Sequence, residues 1–413
     1  MMKGLAQLLF VLMLAPLASG ETILVYADTI HTMAGDAIQD GYVLVRDGDI
    51  AAVGQADDYA PDGTETIMKA ALVTPGLVDA HTCVGLAGHL NTKHDRDELD
   101  RGNPVQPHLR AIDAYNPHER LVEWVRGFGV TTVHTGHAPQ ALVSGQTMIV
   151  KTAGNRVEEA TIKSVAMIAC SMSDTAISGD NPGTRAKASA MLRQKLLDAR
   201  HYVDKQSSTK NDDESDDSET DGSKRKRRDL ELEALAGVLK GETPLLIHAH
   251  KARDIANALR LQEEFDIPIV LDGASESYML MDDIKASGIP VFIHPTMIRP
   301  YGERENLSFE TASKLIDADI PVAMQSGYES YVPRTRVVLY EAGMAAANGC
   351  DFNDALAMIT ITPAKILGID DRVGSIEVGK DGDLALYDGD PFEWTTHCTG
   401  VVIDGKIVAN TPR

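Results

Sequence analysis

An apolar run from Pro75 to Cys83 ends by presenting a histidine, His81, with Cys83 two residues on and so on the same face of a strand. A second pair with that spacing, His248 and His250, closes the run Pro244-Leu245-Leu246-Ile247. Imidazole and thiolate are good zinc ligands, and a cation held by a few such groups with one position open acidifies a bound water toward neutral pH. His81, Cys83 and His248 are thus a candidate mixed N/S site for one zinc ion at most, with Asp272 or Glu329 reaching in as the base. A free cysteine is often a small buried hydrophobe, and Cys83 admits that reading too. It also admits a nucleophile activated by His81, although the sequence shows no third group to orient the base. His134, His137 and His294 fall at or beside other strand ends, where structural imidazoles are the simpler reading.

Groups scattered this widely need elements that bring them together. Four runs share one phrase: Pro244 to His248, Ile267-Pro268 to Leu271, Ile289-Pro290 to His294, and Ile320-Pro321 to Met324. Each follows a helix-length amphipathic stretch and places proline at the strand's first residue, where no ladder donor is lost. Strands alternating with helices indicate parallel βα units. With earlier strands at Gly129 to His134 and Thr147 to Val150, there are enough to close a (β/α)8 barrel over residues 72–371, whose reactive groups gather at the C-terminal strand ends. An open doubly wound sheet is the alternative, without a glycine-rich dinucleotide fingerprint to support it. Short β runs with Gly and Asp turns occupy 21–71 and return over 372–413, so both chain ends are expected to build one small β-sandwich.

Residues 1–20 carry Lys3, an apolar run from Leu5 to Leu17, and the small residues Ala18 and Gly20, the pattern of a secretory leader cut before Glu21. The run falls short of the ~18 to 20 residues that a membrane span needs. A periplasmic or secreted protein, not inserted in a membrane after cleavage, is therefore expected. The net charge is −22, which disfavours nucleic acid and anionic membranes as partners. Residues 204–228 hold eight acidic and seven basic side chains, so the folded body carries most of that charge, and this apolar-poor insertion is expected to be a disordered loop. Four cysteines, Cys83, Cys170, Cys350 and Cys398, follow no disulfide or zinc-knuckle spacing.

The phrase Pro75 to His81, the His248-Ala249-His250 pair, the β-rich flanks and the stretch from Ala355 to Gly368 together resemble the amidohydrolase superfamily, in particular its imidazolonepropionase-like and prolidase-like exported branch. The resemblance covers essentially the mature chain. It implies a barrel with a composite sandwich, metal-activated hydrolysis of amide or cyclic amide bonds, His81 and His248 as metal ligands, and His250 as a substrate contact. The family pattern is broken where Cys83 replaces a second histidine, where Val270-Leu271-Asp272-Gly273 lacks the sixth-strand histidine, and where Gly327 lies nearest the eighth-strand aspartate. Lys163 is the one substitute for a fourth-strand bridging residue. Two functions follow from this pattern: a C–N hydrolase acting on a small or peptide-like substrate, or a degenerate barrel serving as a binding protein or as the partner of an active homologue.

Overall fold

The structure, a computed structural model, describes residues 21–90, 92–177, 181–212, 228–294, 296–297, 299–329 and 335–413; the leader read over 1–20 lies outside them. The chain opens with β1 Ile23–Ile30, β2 Ile38–Arg46, β3 Asp49–Gln55 and β4 Thr66–Pro75. The barrel strands follow: β5 Leu77–Thr82, β6 Val130–Thr135, β7 Val143–Gln146, β8 Met148–Lys151, β9 Thr161–Lys163, β10 Ile168–Ser171, β11 Leu245–Ala249, β12 Ile269–Gly273, β13 Val291–Ile293 and β14 Val322–Met324. The chain then returns through β15 Leu384–Tyr387, β16 Cys398–Ile403 and β17 Lys406–Ala409.

Both chain ends share a single seven-stranded sheet in the order β17-β16-β15-β4-β1-β2-β3. Ile23, Val45 and Val73 from one end and Leu384, Leu386 and Val402 from the other lie in one apolar cluster. The expected sandwich is thus one continuously paired sheet. It extends to Pro75, past the expected boundary at Ala71, because Leu72 to Pro75 pair with β15. The chain passes from it directly into β5. Gly76 at this junction is obligatory, since a Cβ there would lie 2.2 Å from Thr131 Oγ1 on the next strand.

The barrel closes, which removes the open-sheet alternative. β5 pairs with β6 in parallel, and β10 to β14 form a parallel run. One seam joins Thr82 to Gly327, with Gly327 N donating to His81 O at 3.0 Å. Asp79 reinforces that seam by accepting from Ser326 N at 2.9 Å and from Ser326 Oγ. The other seam runs from Thr147 N to Met167 O at 2.9 Å and from Ala166 N to Thr147 O at 2.8 Å. One stave departs from uniform parallel order: β7 and β8 run antiparallel to β10 and β6. The reason is length, because residues 136–142 alone separate β6 from β7 and a parallel crossover needs about a dozen or more.

The proline phrase is explained by the ladder. Pro244, Pro268, Pro290 and Pro321 each stand just before a strand and supply a carbonyl to Ile168, Leu245, Leu271 and Val291 N–H, at 2.9 to 3.0 Å. Proline gives up no needed donor there while its carbonyl still makes the first rung. From these starts the alternation of faces is strict. Leu245, Ile247, Ile269, Leu271, Val291, Ile293, Val322 and Met324 join the outer core under the helices. Leu246, Val270, Phe292 and Ala323 fill the interior together with Ala364 and Leu367 of the helix Ile361–Leu367. That helix plugs the lower end of the cylinder and leaves the upper end for a site.

Of the insertion read as disordered over 204–228, residues 204–212 are helical and continue the helix Arg185–Asp212. Helix propagation from the Ala- and Leu-rich stretch before it explains this. Residues 213–227 lie outside the described ones. No described helix is long and apolar enough to cross a membrane. All four cysteines are buried and unbridged.

Candidate active site

The inward phase that begins with Leu246, Val270 and Ala323 reaches His248, Asp272 and Gln325 two residues later, at the C-terminal ends of β11, β12 and β14. These residues and His81 line a cavity of about 1130 Å³, with His250, Gly273, His294, Gly327, Tyr328 and Glu329. Asp272 is its centre. One carboxylate oxygen accepts from His81 Nδ1 at 3.3 Å and from Gln325 Nε2 at 2.6 Å, and the other accepts from His248 Nδ1 at 2.7 Å. A carboxylate only accepts, so both imidazoles present Nδ1–H to it and turn Nε2 elsewhere. Gln325 also donates to Phe292 O at 3.0 Å, which fixes its amide.

Asp272 is 1% exposed. Burial pushes its carboxyl up, but the charges and hydrogen bonds of His81 and His248 outweigh burial and hold it well below the usual carboxylate range. His248 keeps 16% of its side chain accessible and so faces the cavity. His250 stands edge-on to it with ring centroids 4.6 Å apart, and its Nδ1 pairs with Ser275 Oγ at 2.7 Å. Burial, followed by the neighbouring His248 and His294, drives the His250 imidazole well below its ordinary value, so it stands there neutral. Among the described residues, His81 Nε2 is buried without a hydrogen-bond partner, which leaves an uncommitted nitrogen in the cavity floor.

The remaining candidates separate cleanly. Cys83 is not among the residues that line the cavity; it packs with Ala87, Ala138, Leu99 and Tyr328 in a small apolar cluster. The grouping of His81, Cys83 and His248 around one ion is therefore not what the strands assemble: the site's third member is Asp272. Glu329 lines the cavity but accepts from Arg336 Nε. Asp272 and Glu329, expected as bases, are thus both engaged. Lys163 lies on β9, an extra strand beside β8, and not on β10, the stave that precedes β11. His134 is fully buried under the floor, bonded to Ala80 O and Thr147 Oγ1 at 2.6 Å each. Burial and His81 push it down to about 3. His137 is buried away from the cavity, and burial lowers it to about 4. His89 and His118 are tied to Glu119 and Asn155 O outside the cavity, and His94 is exposed.

Two groups were not read from the sequence. Gln325 was passed over for Gly327, although counting by twos from Ala323 lands on it. Ser173, Asp174 and the segment 299–304, which also line the cavity, sit in loops where no periodicity points inward. Among the described residues, no group of three or more His, Cys, Asp or Glu side chains is disposed to hold a metal ion. The donor chemistry agrees, because Gln325 brings an amide N–H to the Asp272 oxygen where a cation would otherwise be shared. The residues present do not fit the zinc site that the sequence suggested.

With that geometry in place, comparison with known proteins adds an independent line. The model of an amidohydrolase family matches residues 288–409. The amidohydrolase tasK of Hapsidospora irregularis is 24% identical over 400 residues, which is 90% of this chain and 40% of tasK. Imidazolonepropionase of Streptococcus pyogenes serotype M1 is 31% identical over 114 residues, 23% of this chain and 27% of that enzyme. This chain thus spans less than half the length of either curated relative. The crystal structure of an amidohydrolase from Thermotoga maritima MSB8 superposes with a TM-score of 0.85 at 29% identity, covering 94% of this chain and 100% of that one. An adenosine deaminase from Xanthomonas campestris, solved with bound zinc, shares the fold at a TM-score of 0.53 and 15% identity, over 95% of this chain and 93% of that one.

Proposed function

The chain belongs to the amidohydrolase superfamily, and on that premise we propose that it hydrolyses carbon–nitrogen bonds of amides or cyclic amides, with Asp272 and His248 as its working pair. The observation that carries this reading is the single buried carboxylate accepting from His81, His248 and Gln325 at the cavity floor. Asp272 fixes the tautomer and orientation of His248, whose Nε2 then carries a lone pair toward the cavity. A water beside Nε2 gives its proton to the imidazole as its oxygen bonds to the carbonyl carbon. The same proton passes to the departing nitrogen as the C–N bond breaks. Gln325 and His81 hold the carboxylate in place throughout.

The test is release of amine from a panel of N-acyl amino acids and cyclic amides. Removing a positioned general base costs about 10²- to 10⁴-fold, so His248→Gln is expected to lose at least 100-fold in kcat with little change in KM. An unchanged rate in that variant would overturn the assignment. A second reading, a barrel that binds without turnover, is favoured by the neutral Gln325 at the eighth strand and by Cys83 lying outside the cavity. It predicts saturable binding with no amine released. The reading includes export, supported by the leader pattern over residues 1–20; recovery of chain beginning at Glu21 from the periplasmic or culture fraction is the result expected.

A further inference from the structure

The chain that leaves β13 does not turn straight into the next helix; it runs back along the rim of the barrel. The strands stand in the order β14-β13-β12-β11-β10, and residues 299–306 are bonded in turn to groups just past β12, β11 and β10. Asn306 Nδ2 donates to Glu276 Oε1 at 2.7 Å, and Asn306 O accepts from Tyr278 Oη at 3.1 Å, both past β12. Glu305 pairs with Lys251, past β11, whose Nζ also donates to Glu276 at 2.9 Å. Glu303 accepts from Arg185 Nη2 at 3.0 Å, and the same nitrogen holds Asp174, past β10, at 2.6 Å. Upstream, Thr296 N, Thr296 Oγ1 and Met297 N all donate to one oxygen of the buried Glu341, at 2.5 to 3.2 Å. Residues 299–304 line the cavity, so this stretch is a strap along its mouth, tied at both ends.

The strap is held by fewer cations than carboxylates. Arg185 serves Asp174, Glu303 and the buried Asp254, the last at 2.8 Å. The charged and titratable groups around Glu303 are Arg185 from the helix Arg185–Asp212, Asp174 from the helix Asp174–Ile177, Asp254 and Arg253 from the helix Ala252–Phe265, His248 from β11, and Arg304 beside it in sequence. At Asp174 burial is outweighed by the bond from Arg185, which holds that carboxyl below its ordinary value. Burial, with Asp174 beside it, pushes Glu303 up to about 7. Once the strap lifts into water, Glu303 returns to the ordinary carboxylate range. The latched form thus binds a proton that the lifted form does not hold near neutrality, and the latch weakens as pH rises through that value.

We propose that residues 299–306 are a latched strap that uncovers the cavity when the Arg185 cluster gains a negative charge at Glu303. The cavity is then more open at mildly alkaline than at mildly acidic pH. The device governs access alone and operates whether or not the cavity turns substrate over.

The experiment is hydrogen exchange of the full chain at pH 6 and pH 8, each rate taken relative to that of an unstructured amide at the same pH. It is read at the amides of Arg304, Glu305 and Leu307, which donate to Tyr301 O, Gly302 O and Arg304 O. Protection is expected to fall about ten-fold from pH 6 to pH 8. Glu303→Gln, neutral at both, should keep the pH 6 level throughout. Access is read separately by alkylating Ser173→Cys with iodoacetamide at pH 8, since Ser173 is 2% exposed and lines the cavity. Adding Glu303→Gln should slow that alkylation by about ten-fold or more. Protection that is flat or rises with pH, a fall that persists in Glu303→Gln and so belongs to His248 or another group, or equal alkylation in the two backgrounds would overturn the proposal.

Discussion

Asp272 carries more of this site than any other side chain, while buried groups on the neighbouring strands and loops set how the protein responds to acid. His134, lowered to about 3 by burial and His81, and His137, lowered to about 4 by burial, stay neutral in the fold but take up protons near 6.5 when the chain unfolds. The unfolded state therefore binds more protons between about pH 6.5 and pH 3 to 4, and stability must fall as pH drops through that window. Asp79, raised to about 6 by burial against its bonds from Ser326, opposes this from about pH 6 down to its ordinary carboxylate range. Glu303, raised to about 7 by burial, opposes it as well, and His250, driven well below its ordinary value by burial, adds to it; the three depressed imidazoles outweigh these two raised carboxyls. Urea unfolding at pH 7.5 and pH 5 is expected to show lower stability at pH 5, with a smaller difference in His134→Gln; a flat or inverted profile would contradict the placement of these groups. At this scale the sequence was legible in types more than in partners. His81, His248, His250 and Asp272 were identified, but that Asp272 would be the shared acceptor depends on register between strands far apart in the chain, which local pattern does not encode. Cys83 was misassigned because a spacing of two places residues on one face only while the strand stays regular. β5 is irregular at this end: its pairing with β6 shifts register between Asp79 and Thr82.

The four proline-led runs were readable as strands because proline, the short apolar alternation and the preceding helix all agree. The reversed stave of β7 and β8 was not, since a run of apolar residues does not state its direction; the short link over 136–142 was the available clue. The bend after β12 shows how an element sets the site. Gly273 has φ of +80° and Ala274 of +43°, which turns the chain so that Ser275 meets His250. A Cβ at Gly273 would lie 2.9 Å from Cε1 of both His248 and His250. Gly273→Ala combines a strained backbone with displacement of both imidazoles. It is expected to reduce kcat at least ten-fold while circular dichroism remains that of the folded protein; full activity would mean that His248 and His250 do not need their present positions.

Across the whole molecule, the barrel and the terminal sheet are joined by a buried charge. Lys151, at the end of β8, reaches Asp383 at 2.6 Å, Asp381 at 2.8 Å and Asp404 at 3.3 Å, with 3% of its side chain exposed. Removing Lys151 leaves Asp383 buried without a cation, at a cost of about 3 to 5 kcal/mol, while Asp381 keeps Arg372 at 2.7 Å and Asp404 is half exposed. Lys151→Met should lower the thermal midpoint by roughly 10 °C without changing the spectrum of the native state, and an unaltered midpoint would show that the cluster contributes nothing to the joint. That the chain ends meet was legible from matching β runs; that they form one sheet locked by Lys151 was not, because a lysine within an apolar strand gives no sign of its distant aspartates. The account as a whole stands on Asp272 as the organiser of a working site. The most direct measurement is the rate of amine release from N-acetyl-L-phenylalanine by the intact protein and by Asp272→Asn, with folding checked in each. A measurable rate that falls at least 100-fold in the variant is the outcome expected; equal rates in the two proteins, or no release by either, would contradict it.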